Sequence, residues 1–171
     1  MNEINYELVV NELKKISKDT ESKTDRPPTS TVQIIGELLV LKELYTLGLN
    51  PIYQSGTRSA DIILDDKRIE VKTSHVYEFN KRIGKVAENA NINPDKFDFL
   101  VFVVSPEDWG EERFFILKSE EVGKIEHKRL FGVKGNLKQI VFYAHPKNDK
   151  ENRNNDLLKE HEDKWEKIIK E

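Results

Sequence analysis

The alternation of apolar and polar positions predicts two helices at the start of the chain. Residues 4–17 carry apolar side chains at helical spacing, which predicts an amphipathic helix. The polar residues 18–30 include Pro27 and Pro28 and predict a loop, because proline does not continue a helix. Residues 31–47 are apolar around most of the circumference and predict a second, largely buried helix.

Strand patterns dominate the middle of the chain. Residues 60–64 and 67–73 are two short strand patterns joined by Asp65 and Asp66, which predicts a hairpin with a two-residue turn. Residues 97–104 form an almost continuous apolar run bounded by prolines. Such a run is typical of a central strand that is buried on both faces.

Weaker patterns complete the prediction: strands at 113–117 and 139–144, a helix with weak spacing at 79–91, a short helix at 118–122, a charged linker at 147–155 and a C-terminal helix at 155–169. We therefore expect an α/β fold with a mixed central sheet flanked by helices. One domain would span residues 1–171, with an N-terminal helix and loop (1–30), a core (31–145) and a C-terminal helix (155–170).

Composition removes several classes of function. The chain of 171 residues has no cysteine, which excludes disulfides, thiolate catalysis and cysteine-bound zinc. A net charge of −3 argues against indiscriminate binding of nucleic acid, although it allows a local basic face. No apolar run is long enough to cross a bilayer and no signal pattern opens the chain, so we expect a cytoplasmic protein without a membrane partner. Glycine-rich phosphate and dinucleotide motifs are absent, so no nucleotide cofactor is expected.

The predicted hairpin carries a candidate catalytic group. Side chains alternate along a strand, so Glu70 and Lys72 project from the same face. In the register that the two-residue turn suggests, Asp61 lies opposite Glu70, and the three charges surround one point. Such a point would hold a hard divalent cation.

A fourth charged residue lies on the second predicted helix. Glu37 is surrounded in sequence by apolar residues, and an unpaired buried carboxylate is costly. A metal site or Lys72 would relieve this cost. Alternatively, Glu37 shares an exposed helix edge with Gln33.

These residues resemble the PD-(D/E)xK nuclease superfamily, which has the restriction-endonuclease-like fold. Its members typically carry an acidic residue on the first core helix, an Asp near the end of one strand and Glu-x-Lys on the next. Glu37, Asp61, Glu70 and Lys72 match this order. One departure is Ala60, which stands where the motif has its proline.

The segments around the motif are similar to those of archaeal Holliday-junction resolvases and type II restriction enzymes. These segments are residues 55–63 and 69–74, and the resemblance as a whole covers residues 36–74. It implies an endonuclease that acts on DNA.

Phosphodiester hydrolysis needs charge stabilisation on the phosphoryl oxygens and an activated water. Mg²⁺ prefers a few carboxylates and keeps several waters, so Asp61 and Glu70 suffice, joined by the Val71 carbonyl. Mn²⁺ is expected to substitute. Glu37 would hold a water at the cation or orient Lys72, and Lys72 would stabilise or deprotonate the attacking water.

Polar and basic side chains near the motif are candidate DNA contacts: Arg58, Ser59, Thr73, Ser74, His75, Lys81 and Arg82. For each residue taken singly, ordinary solvation in a loop is the competing interpretation.

The sequence therefore predicts a Mg²⁺-dependent endonuclease of restriction-like or repair type. A homodimer is expected, since cutting both strands of a duplex requires two active sites. The alternatives are a Holliday-junction resolvase and, from another class, a non-catalytic nucleic-acid-binding module that retains the fold.

Overall fold

The computed structural model describes residues 5–24, 28–54, 60–80, 84–122 and 138–170. Its helices are α1 (Tyr6–Thr24), α2 (Thr29–Thr46), α3 (Ser119–Val122), α4 (Asp149–Lys159) and α5 (Glu166–Ile169), with a 3₁₀ turn at Pro94–Lys96. Its strands are β1 (Ile52–Tyr53), β2 (Ile62–Leu64), β3 (Lys67–His75), β4 (Tyr77–Asn80), β5 (Gly84–Ile92), β6 (Phe99–Ser105), β7 (Arg113–Lys118) and β8 (Lys138–Tyr143).

The larger sheet has five strands in the order β1-β2-β3-β6-β7. Strands β3 and β6 pair in parallel, whereas the other neighbours pair antiparallel. The smaller sheet has the order β4-β5-β8. The predicted fold class, an α/β fold with a mixed central sheet flanked by helices, is therefore confirmed.

Strand β6 occupies the buried position that its apolar run predicts. Every residue from Phe99 to Ser105 is buried. Leu100, Phe102 and Val104 pack toward the smaller sheet, while Val101 and Val103 pack in the cluster that holds α2. The core thus has two apolar layers, one on each face of the larger sheet.

Helix α2 lies very close to β3. A Cβ placed at Gly36 would overlap the hydroxyl of Thr73 and would lie 2.8 Å from its Cβ. Only glycine allows this approach, and it brings the residues of α2 that flank Gly36 against the edge of β3. The site described below depends on this contact.

The predicted helix at 79–91 is wrong, because the described residues of this segment lie in β4 and β5. Polarity at Glu88 and Asn89 hides the strand pattern. Both side chains bond to neighbouring strands. The Glu88 carboxylate accepts from Tyr77 Oη of β4 at 2.7 Å and from Gln139 Nε2 of β8 at 3.0 Å, and Asn89 Nδ2 donates to the Thr73 carbonyl of β3 at 3.0 Å. Polar side chains that bond to a neighbouring strand interrupt the simple alternation of apolar and polar residues.

The predicted boundaries near both ends are also wrong. Helix α1 continues through residues 18–24, which were predicted as loop. Most of the predicted linker at 147–155 is helical in α4, where the Asn148 side chain accepts hydrogen bonds from the backbone N–H groups of Lys150 and Glu151. The predicted C-terminal helix is split into α4 and α5, with Asp163 at a φ of 52° between them.

No helix among the described residues is long and apolar enough to span a membrane.

Candidate active site

The site forms just before β2 begins at Ile62, where β3 extends beyond its pairing with β2. Backbone pairing between the two strands stops at Ile62 and Ile69. Beyond this pair, side chains take the place of a strand: Asp61 Oδ2 accepts the Val71 N–H at 2.8 Å, and Gln33 Nε2 donates to the Val71 carbonyl at 2.7 Å. Gln33 Oε1 also accepts the Thr73 N–H at 3.1 Å. On this side of β3, the Val71 N–H and carbonyl and the Thr73 N–H are therefore satisfied without a strand neighbour.

Glu70 and Lys72 share one face of β3, as the strand alternation predicts. Lys72 Nζ lies 2.5 Å from Glu70 Oε1. Their side chains keep 20% and 25% of their exposure, so both can be reached by solvent. Continuing the β2–β3 register from Ile62 and Ile69 by one pair brings Asp61 opposite Glu70.

Glu37 joins the site from α2. The residue is 8% exposed, which answers the open question about an exposed helix edge. It does contact Gln33, as that alternative supposed, but in a buried position: Gln33 Nε2 donates to Glu37 Oε1 at 3.0 Å. Tyr53 Oη of β1 donates to the other carboxylate oxygen at 2.6 Å.

Asp61 interacts electrostatically with the other charged groups of the site. Burial raises the pKa of Asp61 to about 6, and the Glu70 and Glu37 carboxylates add to the rise. The hydrogen bond from the Val71 N–H and the Lys72 ammonium act in the opposite direction. The site cluster, meaning Glu37, Asp61, Glu70 and Lys72, thus holds three carboxylates and one ammonium.

The donor set fits a hard divalent cation. Asp61 and Glu70 supply carboxylate oxygens, and the Val71 carbonyl has a second lone pair beside its bond from Gln33. No group of three or more His, Cys, Asp or Glu side chains among the described residues forms a ready metal cage. Two carboxylates and a carbonyl suit Mg²⁺, which keeps waters in its coordination shell, better than they suit zinc.

Three predicted DNA contacts are buried. Thr73, Ser74 and His75 are 4%, 8% and 4% exposed and line a cavity of about 220 Å³ beside the site. The His75 ring stacks on Trp109 with centroids 4.2 Å apart, and burial lowers its pKa. These side chains support the protein's own structure here, and their contact with DNA stays a prediction.

Four other predicted DNA contacts, Arg58, Ser59, Lys81 and Arg82, lie outside the described residues.

Sequence reasoning missed Tyr53 and the contacts that Gln33 makes with β3. Tyr53 gives no local signal, because its bond to Glu37 depends on the sheet bringing β1 beside α2. Gln33 does give one: it lies four residues before Glu37, and residues at this spacing share a helix face. Its contacts with β3 span about forty residues of sequence and are not visible in a local pattern.

Comparison with known proteins gives a match at the level of structure. No protein-family model and no curated protein matches the chain. The fold is similar to the solved structure of a bacterial homing endonuclease, I-Ssp6803I, with a TM-score of 0.55 and 17% sequence identity. The similarity covers 82% of this chain and 93% of the other. At this identity it establishes the likeness of fold alone.

Proposed function

We propose that this protein is a metal-dependent endonuclease of the PD-(D/E)xK type that hydrolyses phosphodiester bonds in DNA. The observation that carries the proposal is the site cluster at the free edge of β3, with Glu70 and Lys72 on one face and Asp61 and Glu37 beside them. The fold likeness to a homing endonuclease supports the same reaction class.

Asp61, Glu70 and the Val71 carbonyl would hold Mg²⁺, with Mn²⁺ as a substitute. The bound cation supplies positive charge at the phosphoryl oxygens and lowers the pKa of water. The excess of carboxylates in the site cluster supports this assignment, since a divalent charge offsets the burial and the repulsion from Glu70 and Glu37 that raise the pKa of Asp61.

Lys72 is the group that acts on the reacting atoms. Its ammonium is held by Glu70 and remains partly exposed, so it can approach a phosphate or the attacking water. A fixed ammonium at this position stabilises negative charge that develops in the transition state. Glu37, buried and held by Gln33 and Tyr53, adds a fixed carboxylate that favours cation binding.

A duplex substrate would be cut on both strands by a homodimer. One chain carries one such site among its described residues, and a twofold axis would place a second site on the opposite strand.

Cleavage of a DNA panel tests the proposal. Supercoiled plasmid, linear duplex, single strands and a four-way junction are incubated with Mg²⁺ or Mn²⁺, comparing wild type with Asp61→Asn and Lys72→Ala. Asp66→Asn in the exposed turn of the same hairpin and Lys96→Ala on the surface are matched controls. We expect metal-dependent cutting that both site variants lose and both controls retain.

The same panel separates the alternatives. Selective cutting of the four-way junction would identify a resolvase. Tight, metal-independent binding with no cutting of any substrate would contradict the nuclease proposal and identify a non-catalytic binding module.

A further inference from the structure

Gln33 uses its whole amide group at the site. One N–H reaches Glu37 Oε1 at 3.0 Å and the other reaches the Val71 carbonyl at 2.7 Å. Its oxygen accepts the Thr73 N–H at 3.1 Å. The orientation of the amide follows from these partners, since two are acceptors and one is a donor.

Among glutamine, glutamate, lysine and asparagine, only glutamine satisfies these two acceptors and one donor from position 33. Glutamate has no N–H to offer and would place a fourth carboxylate against Glu37. Lysine has no acceptor for the Thr73 N–H. Asparagine is one methylene shorter and does not span from α2 to β3 from the same position. Gln33 therefore makes hydrogen bonds to β3 that a neighbouring strand would otherwise make, and it also holds the Glu37 carboxylate in place.

Val71 is held from both ends by side chains of the site. Its N–H bonds to Asp61 and its carbonyl bonds to Gln33. Asp61 and the Val71 carbonyl are the proposed cation ligands, so Gln33 determines where one ligand points relative to the other. The helix that carries Gln33 is pressed against β3 at Gly36 and cannot follow a displaced strand.

We propose that Gln33 is a positioning residue for catalysis, which orients the Val71 carbonyl and the Glu37 carboxylate for the metal. The inference rests on the proposed nuclease function and deepens it. Gln33 does not contact the reacting atoms; it acts through Val71 and Glu37.

Gln33→Ala and the nearly isosteric Gln33→Glu test this role. The control is Gln139→Ala, which removes another glutamine-to-glutamate hydrogen bond of 3.0 Å, to Glu88 in the smaller sheet. We measure kcat and KM for DNA, the affinity for Mn²⁺ without DNA, and hydrogen exchange at the Thr73 amide.

We expect both Gln33 variants to weaken Mn²⁺ binding by about 10- to 100-fold, the usual effect of removing a group that orients a metal ligand. At saturating metal, kcat should fall by a similar factor while KM for DNA changes less than about twofold, because Gln33 does not bind DNA. Exchange at the Thr73 amide should accelerate in Gln33→Ala, whereas Gln33→Glu keeps an oxygen that can accept this N–H. Gln139→Ala should leave metal affinity and kcat at their wild-type values.

The readouts separate the two proposals. Unchanged Mn²⁺ affinity and kcat in folded Gln33 variants would overturn the positioning role while the nuclease function stands. A wild-type protein that cuts no DNA, but whose Mn²⁺ affinity falls with Gln33→Ala, would overturn the nuclease function and support the positioning role. Unchanged exchange at Thr73 in Gln33→Ala would contradict the assigned contact without any need for metal or DNA.

Discussion

Two clusters of charge in this molecule use the same residue types with opposite results. The site cluster has three carboxylates for one ammonium, and burial with two acidic neighbours raises the pKa of Asp61 to about 6. The clamp, meaning Arg113, Glu121, Glu162 and Lys167, joins β7 and α3 to the C-terminal segment and balances two acids with two bases. The hydrogen bond from Arg113 lowers the pKa of Glu162.

Geometry explains the contrast. The Arg113 guanidinium donates to both oxygens of Glu162 at 2.6 and 2.8 Å, and Lys167 Nζ lies 2.8 and 3.0 Å from the oxygens of Glu121. Burial alone would raise the pKa of Glu121, but the hydrogen bonds from Lys167 and the Lys118 N–H outweigh it and the pKa is lowered. Carboxylates of the clamp stabilise the fold, whereas burial and the neighbouring acids disfavour the charged form of Asp61 in the site cluster.

The largest difference should appear in cleavage rate. Lys72→Ala removes the ammonium that we propose acts on the reacting atoms, so we expect kcat to fall by about 10²- to 10³-fold. Lys167→Ala removes an equally paired ammonium from the clamp and should leave kcat at the wild-type value. Single-turnover cleavage of the preferred DNA with saturating Mg²⁺ measures both. Equal losses in the two variants would mean that the clamp is part of the active site.

Gly36→Ala attacks the contact that brings α2 to β3. The new methyl group would overlap Thr73, so we expect a loss of about 3 kcal/mol in the free energy of unfolding. Urea denaturation followed by circular dichroism measures it. The double variant Gly36→Ala with Thr73→Ala removes part of the overlap and should recover part of the loss. A stable Gly36→Ala protein would show that α2 is not pressed against the strand.

Neutralising one acid in each cluster should shift stability in opposite directions. The pKa of Asp61 lies about two units above its ordinary value, which corresponds to roughly 3 kcal/mol of unfavourable interactions of the charged form at neutral pH. Because Asn can still accept the Val71 N–H, Asp61→Asn should stabilise the metal-free protein by about 2 kcal/mol. Glu162→Gln should destabilise it. Urea titrations at pH 7 with a chelator present decide the signs, and a destabilised Asp61→Asn protein would contradict the proposed repulsion.

The smallest expected effect is the pH dependence of the stability that the Arg113 and Glu162 pair of the clamp contributes. The pKa of Glu162 is lower in the folded protein than its ordinary value of 4.5, so its stabilising contribution is present above that value. It is lost as the pH falls through the folded-state pKa. Arg113→Met should therefore lower the free energy of unfolding by about 1 kcal/mol at pH 7 and by much less at pH 3. The more exposed Arg68 and Asp98 pair offers a control, Arg68→Met, with a smaller expected loss. A pH-independent loss would point to packing of Arg113.

Local patterns were enough to predict the charged core of the site. A two-residue turn determines the register of β2 and β3, and alternation then places Glu70 beside Lys72. The apolar run of β6 likewise identifies an interior strand without knowledge of its neighbours. Both predictions depend on residues within about ten positions of each other.

Long-range contacts account for the failures. The strand pattern of β5 is obscured because the side chains of Glu88 and Asn89 bond to the neighbouring strands β4, β8 and β3. The role of Gln33 needs the approach of α2 to β3, which one glycine permits. Neither contact leaves a periodic trace in the sequence, since each joins residues that only the tertiary fold brings together.

Strand β1, which has two residues, determines whether Glu37 is held in place. Tyr53, which fixes Glu37, lies in a strand of two residues whose other member, Ile52, is 60% exposed. Strand β1 pairs with β2 through two positions and has no neighbour on its outer side within the described sheet. Such an edge opens at a small fraction of the global unfolding energy. Fraying of β1 therefore determines the fraction of molecules in which Tyr53 holds Glu37. This fraction falls at temperatures well below the temperature at which the core melts.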